Sequence, residues 1–176
     1  MRRTTMKKQL MAMAVAAALA TTGAAQAAGG TYFGAQLGVA DVSGFDEGMM
    51  LAATLGVPAD QMVPNLAFEA ELGMTVVDPD RNVIGGTAEL SYWYLGGFAV
   101  YNLPLNNNLK LRGKLGLGYL DVEVDAPGGT ASEDDIEAMF GVGLTVPMRG
   151  TMRFITEYTR VESDIDQISA GLQFDF

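Results

Sequence analysis

The last eleven residues of the chain, 166–176, alternate between apolar side chains and side chains that are polar or small. Strict alternation is the pattern of a β-strand with two different faces. The apolar face carries Ile168, Ala170, Leu172, Phe174 and Phe176. A chain end is usually frayed and polar, so an apolar strand in this place is unusual for a water-soluble protein. A strand between lipid and a polar interior shows this pattern.

The same period of two recurs along the chain, whereas helical signals are weak, and it predicts eight strands. We expect them at residues 31–40, 49–57, 66–76, 87–103, 109–120, 135–146, 151–161 and 166–176. The breaks alternate between tight turns and longer acidic loops. The tight turns are 104–108 and 147–150, and the longer loops are 41–48, 78–86 and 121–134. Short turns on one side and long loops on the other are typical of outer-membrane barrels.

Alternation by itself also fits a soluble β-sandwich or a lipocalin-like barrel, and the glycines decide against both. They lie on the same strand faces as the charged residues: Gly34, Gly38, Gly73, Gly116, Gly118, Gly141, Gly143 and Gly171. On a solvent-facing surface these glycines would weaken the strands without a gain. Inside a narrow barrel they make room for large neighbours. The apolar faces then point into lipid, and the fold class is all-β, an eight-stranded antiparallel up-and-down transmembrane β-barrel.

The fourth strand is assigned by the same rule. Its apolar residues at alternate positions are Ala88, Leu90, Tyr92, Tyr94, Phe98 and Val100. We expect these residues to face lipid, so that Glu89, at an intervening position, points toward the interior.

The first 27 residues have the features of a secretory signal peptide. Basic residues precede an apolar segment at 10–20, and Ala25-Gln26-Ala27 fits the small-x-small pattern before a cleavage site. We therefore expect a signal peptide at 1–27, a mature barrel domain at 28–176 and export to the cell outer membrane. Cleavage changes the net charge from −10 to −14, because the signal peptide holds four of the 11 basic residues and none of the 21 acidic ones.

Composition limits the chemistry of the mature protein. The chain has no cysteine and no histidine, which excludes thiol nucleophiles, disulfides, histidine general bases and the commonest ligand of transition metals. The strongly acidic balance disfavours binding to nucleic acid. We predict a protein that is not an enzyme and has no catalytic, cofactor-binding or metal site.

The charged residues on the interior faces form the best-defined candidate site. Nine are predicted to share the lumen: Glu69, Glu71, Glu89, Lys110, Arg112, Lys114, Glu137, Arg153 and Glu157. Charges in a narrow, low-dielectric lumen must pair, because an unpaired buried charge is costly. The network either fills and stiffens the barrel or lines a narrow porin-like channel for ions or small solutes. The sequence leaves both readings open, and an eight-stranded barrel, just wide enough to be filled, favours the first.

The signal peptide, the eight strands, the run Leu115-Gly116-Leu117-Gly118-Tyr119 and the final Phe176 together resemble the small outer-membrane β-barrels of the OmpA-like and OmpX-like type. The resemblance covers 28–176. It implies that the apolar residues of the last strand are the signal read by the barrel-assembly machinery. No peptidoglycan-binding domain follows the barrel, so a cell-wall tether is not implied.

The expected role is structural support of the envelope or surface interaction through the loops. Expected partners are outer-membrane lipid and lipopolysaccharide, with which the acidic loops would make contact through divalent cations. The oligomeric state is not determined by the sequence.

Overall fold

The computed structural model describes residues 30–176, so the predicted signal peptide and its cleavage site lie outside the described residues. Nine strands follow one another along the described part of the chain. They are β1 (Tyr32–Val42), β2 (Gly48–Pro58), β3 (Leu66–Val77), β4 (Asp80–Val83), β5 (Gly86–Asn106), β6 (Leu109–Ala126), β7 (Gly129–Pro147), β8 (Met152–Glu162) and β9 (Ile165–Asp175). No helix in this part of the chain is long and apolar enough to cross a membrane.

Eight of the strands close into an antiparallel barrel. Each pairs with its neighbours in the order β1, β2, β3, β5, β6, β7, β8 and β9, and β9 returns to β1 with Tyr32 opposite Asp175 and Val42 opposite Ile165. The remaining strand, β4, is short and pairs only with the start of β5. The prediction of an eight-stranded antiparallel barrel is confirmed. Within the closed part of the barrel each strand is paired on both sides.

The two ends of the barrel differ in length and composition. We call the end with the turns at 59–65, 107–108 and 148–151 the inner end, and the end with 43–47, β4, 127–128 and 163–164 the outer end. At the outer end β5, β6 and β7 extend beyond the other strands, since β6 and β7 remain paired up to Ala126 and Gly129.

The strand faces follow the alternation of the sequence over most of the barrel. Large apolar side chains cover the outside, where Leu95, Leu115 and Ile168 are 55%, 65% and 65% exposed. In the last strand Gln167, Ser169 and Gln173 are buried inside. Water-soluble monomers rarely expose an apolar band of this extent, so the outer surface is one that lipid covers.

The assignment of β5 is wrong and is corrected by the burial of its side chains. Leu90, Tyr92, Tyr94, Phe98 and Val100 point into the barrel and are at most 5% exposed. The opposite parity, with Trp93, Leu95, Tyr101 and Leu103, faces outward. Both parities of this strand are largely apolar, so polarity does not distinguish the faces. Glu89 therefore lies outside the lumen, at the outer end, where the outward face meets water.

The predicted loop at 121–134 is also corrected. These residues continue β6 and β7 as a paired hairpin, with Asp121 opposite Asp134 and a two-residue turn at Pro127-Gly128. Gly129 has a φ of +138°, a conformation that favours glycine. The hairpin resembles a loop in sequence because both of its faces are near water and carry charge.

Candidate functional site

A network of buried ion pairs crosses the middle of the lumen. Arg112 lies between two carboxylates, pairing with Glu69 and placing its Nε 2.6 Å from Oε2 of Glu157. Lys114 repeats the arrangement, with its Nζ 2.9 Å from Oε1 of Glu71 and 2.5 Å from Oε1 of Glu157. All five side chains are at most 1% exposed. Glu157 therefore links the two cations across the barrel.

Hydroxyl groups complete the network. Tyr94 donates a hydrogen bond of 2.7 Å to Oε1 of Glu71, and Tyr32 donates one to Glu69. Thr54 and Thr159 donate to Glu71 and Glu157 over 3.3 Å and 3.1 Å. These donors matter because three carboxylates face only two cations, and each remaining lone pair must be satisfied inside the barrel.

The alternation of the sequence does not reveal these hydroxyl donors. Tyr32 points to the interior of β1 but carries no charge that would indicate a partner, and the alternation predicts the wrong face for Tyr94 of β5. Tyr94 pairs with Gly73, two residues from Glu71 on the neighbouring strand β3. Tyr32 and Glu69 are two strands apart, and both pair with Gly56 of the strand between them. Both contacts follow from strand register, which the alternation of the sequence does not show.

The four remaining predicted lumen charges lie outside the network. Arg153 is at the inner end, paired with Asp175 and with its guanidinium carbon 4.7 Å from the centre of the Tyr32 ring. Lys110 is half-buried at the start of β6 and makes no ion pair within residues 30–176. Glu137 is half-buried at the outer end, and Glu89 is exposed.

The lumen above the network is mostly apolar, in contrast to the polar interior expected from the sequence, although the buried Gln167 lies within it and donates a hydrogen bond of 2.9 Å to the hydroxyl of Tyr92. Side chains from most of the strands meet there in one cluster. It includes Ala40, Val42, Met50, Leu90, Tyr92, Leu120, Met139, Val161 and Ile165, all at most 5% exposed. Burial of these side chains closes the outer half of the barrel as a packed core does in a soluble domain.

Glycines on the interior face provide the space for this packing. An added Cβ at Gly73 would be 2.3 Å from the ring of Tyr94, and one at Gly56 would be 2.1 Å from the ring of Tyr32. Both distances are far shorter than a van der Waals contact. The rings of the two tyrosines whose hydroxyls donate to Glu71 and Glu69 thus pack directly over glycine backbone, as the glycine pattern predicted at Gly73 for a narrow barrel.

A cavity of about 280 Å³, which we call the cup, opens at the outer end beside the extended part of the β6–β7 hairpin. Its apolar floor is formed by Leu120, Val122 and Val124 of β6. Its acidic wall comprises Glu133, Asp135 and Glu137 of β7 and Glu162 of β8. No group of three or more acidic side chains within the described residues is arranged to hold a metal ion.

The acidic wall changes the titration of Glu162 at the outer rim, outside the lipid. Burial raises the pKa of Glu162 above its usual range, and the nearby charges of Glu137, Asp164, Glu133 and Asp135 add to the effect. A folded state that holds this proton more tightly than the unfolded state loses stability as the pH rises through the raised pKa.

We therefore expect the Glu162→Gln variant to unfold at a higher temperature than the wild type at neutral pH, because glutamine carries no charge to repel. The difference should disappear below about pH 4, where glutamate is protonated in both states. Thermal unfolding in detergent across this pH range measures it. Equal unfolding midpoints for the variant and the wild type at every pH would show that repulsion among these carboxylates does not destabilise the protein.

Fold and lumen together define a class: a small outer-membrane β-barrel whose interior is filled by side chains. A family model described as outer membrane protein beta-barrel domain matches residues 10–176, and the chain belongs to this family. No curated protein sequence matches the chain.

Solved structures of small outer-membrane barrels share the fold. Neisserial surface protein A aligns with a TM-score of 0.66 at 15% identity, covering 83% of this chain and 97% of that chain. The N-terminal barrel of Pseudomonas aeruginosa OprF aligns with a TM-score of 0.60 at 11% identity, covering 85% and 100%. Ail, the attachment invasion locus protein of Yersinia pestis, aligns with a TM-score of 0.53 at 13% identity, covering 84% and 97%.

Proposed function

We propose that this protein is a non-enzymatic, non-conducting outer-membrane barrel that supports the envelope and interacts with partners through its outer surface. The observation that carries the proposal is the filled lumen. Five charged side chains pair across its middle, and an apolar cluster occupies its outer half. A path for hydrated ions would require both layers to open.

The absence of an enzymatic role is supported by composition and by the state of the charged residues. The sequence has neither histidine nor cysteine. The carboxylates in the middle of the lumen are buried and engaged by cations and hydroxyls. General acid–base catalysis requires a group within reach of a bound substrate.

Biogenesis by the usual export route is part of the proposal. The signal peptide at 1–27 would be removed, and the outward residues Ile168, Ala170, Leu172, Phe174 and Phe176 would be read by the barrel-assembly machinery. Support comes from the position of this strand, because β9 closes the barrel against β1. The assembled barrel would contact lipid and lipopolysaccharide through its apolar outer surface.

Single-channel recording tests the closed lumen. The refolded wild-type protein in a planar bilayer should give no reproducible conductance steps. Steps whose size changes in the Glu71→Gln variant and not in the Glu89→Gln variant would establish a channel through the network, and they would contradict the proposal. Glu89 is the matched control, because it lies outside the lumen.

A further inference from the structure

The extended part of β7 has a strand on one side only. It pairs with β6 from Gly129 to Thr145, but with β8 only from Phe140, which is opposite Arg160. Within the described part of the chain, residues 129–139 therefore present one edge without a neighbouring strand. Such an edge is a template for another strand, because its N–H and C=O groups point outward in a row.

The direction of these backbone groups follows from one hydrogen bond. The N–H of Ile136 donates to Oδ1 of its neighbour Asp135 at 2.7 Å, so it points away from the ladder with β6. Backbone groups alternate in direction along a strand. The N–H and C=O groups of residues 130, 132, 134 and 138 therefore point to the free edge as well.

Charge defines what the edge can accept. The side chains of Glu133, Asp135 and Glu137 line the cup, where Glu162 adds a fourth carboxylate, and none of the lining residues among 30–176 is basic. Opposite charges on neighbouring strands attract and like charges repel. A second copy of this chain would bring the same acids face to face, so the edge disfavours self-pairing and favours a basic partner.

We propose that this edge, residues 130–138, binds an extended basic segment of another polypeptide by strand addition. Every second side chain of the added strand would face the cup, and the proposal requires these side chains to be basic. The others would lie beside the outward residues of β7, among which Ile136 is 68% exposed. The inference deepens the surface-interaction role proposed above and rests on it, but it does not depend on whether the lumen conducts.

A synthetic peptide of eleven residues that alternates lysine and valine is the probe. Its control has the same composition with the lysines and valines in two blocks, which keeps the charge and removes the alternation. Fluorescence anisotropy is measured with the full protein in micelles of a non-ionic detergent. The alternating peptide should bind more than about tenfold tighter than the block peptide if backbone pairing and side-chain register both contribute.

Ser132→Pro and Ser132→Ala form the matched pair of variants. Proline removes an N–H that points to the free edge and leaves the ladder with β6 intact, as is tolerated on an edge strand. It should weaken binding of the alternating peptide by about tenfold or more, since it removes a hydrogen bond and places a ring in the path of the added strand. The alanine variant should bind as the wild type does.

The cup is tested by Glu133→Gln combined with Glu137→Gln, which should weaken binding and reduce its dependence on salt.

Equal binding by the Ser132→Pro and Ser132→Ala variants would show that charge alone holds the peptide, and this would overturn strand addition. Binding that the glutamines leave unchanged would overturn the basic chemistry of the partner. A dimer of the wild type in sedimentation that Ser132→Pro dissociates would assign the edge to a second copy and overturn the proposal. Conductance by the wild type would contradict the closed lumen and leave this result unaffected.

Discussion

The Lys114→Met variant should lose about 3–5 kcal/mol of its free energy of unfolding, the cost of breaking a buried ion pair by removing one partner. Methionine has nearly the shape of lysine, so the change isolates the charge. It leaves Glu71 without a cation and Glu157 with Arg112 alone. Unfolding by urea in lipid vesicles, followed by tryptophan fluorescence, measures the loss.

Lys110→Met is the matched control, since it makes the same substitution on the same strand and face. Lys110 is half-buried at the inner end and makes no ion pair among the described residues. Its replacement should change the free energy by no more than about 0.5 kcal/mol, as is usual for sites without special contacts. Equal losses in the two variants would show that the network contributes nothing beyond the burial of a lysine.

The Gly116→Ala variant is expected to lose about 1–3 kcal/mol, the usual cost of overpacking a tight interior. A Cβ at this position would be 2.0 Å from the carbonyl oxygen of Gly97 and 2.8 Å from the Phe98 ring. The oxygen belongs to the backbone of the paired strand β5, so it cannot move as a flexible side chain would. The same unfolding assay measures the effect.

Gly113→Ala provides the comparison three residues away on β6. An added Cβ at Gly113 meets no atom within 4 Å. Alanine there should leave the stability unchanged or raise it by less than about 1 kcal/mol, because it reduces the freedom of the unfolded chain. If the two alanine variants were equally stable, the interior would not be packed as described.

The barrel was predictable because most strands have faces of clearly different polarity. In β9, Ile168 and Ala170 are exposed whereas Gln167 and Ser169 are buried, as the alternation indicates. The prediction is wrong for β5, where Tyr92, Tyr94 and Phe98 face the lumen and Trp93 and Leu95 face outward. Alternation carries no information about direction when both faces are apolar.

The candidate site was only partly predictable, for a related reason. The parity of a residue predicts the face on which it lies but not its height along the barrel axis, which depends on the register of every strand pair. Arg112 and Glu157 meet because their strands place them at the same height, whereas Lys110 and Glu137, on interior faces of neighbouring strands, lie at opposite ends. The hydroxyl donors depend on the same registers.

Labelling of single cysteines tests the closed, lipid-embedded barrel most directly, because the chain has no cysteine of its own. The variants are Ser132→Cys on the outer hairpin, Ser169→Cys in the lumen and Ala170→Cys on the outward face. In lipid vesicles a charged maleimide should label only the Ser132→Cys variant, and all three should be labelled after unfolding. Rapid labelling of the folded Ser169→Cys variant would reveal a water-filled lumen, and rapid labelling of the Ala170→Cys variant would place that face in water; either result would contradict the account.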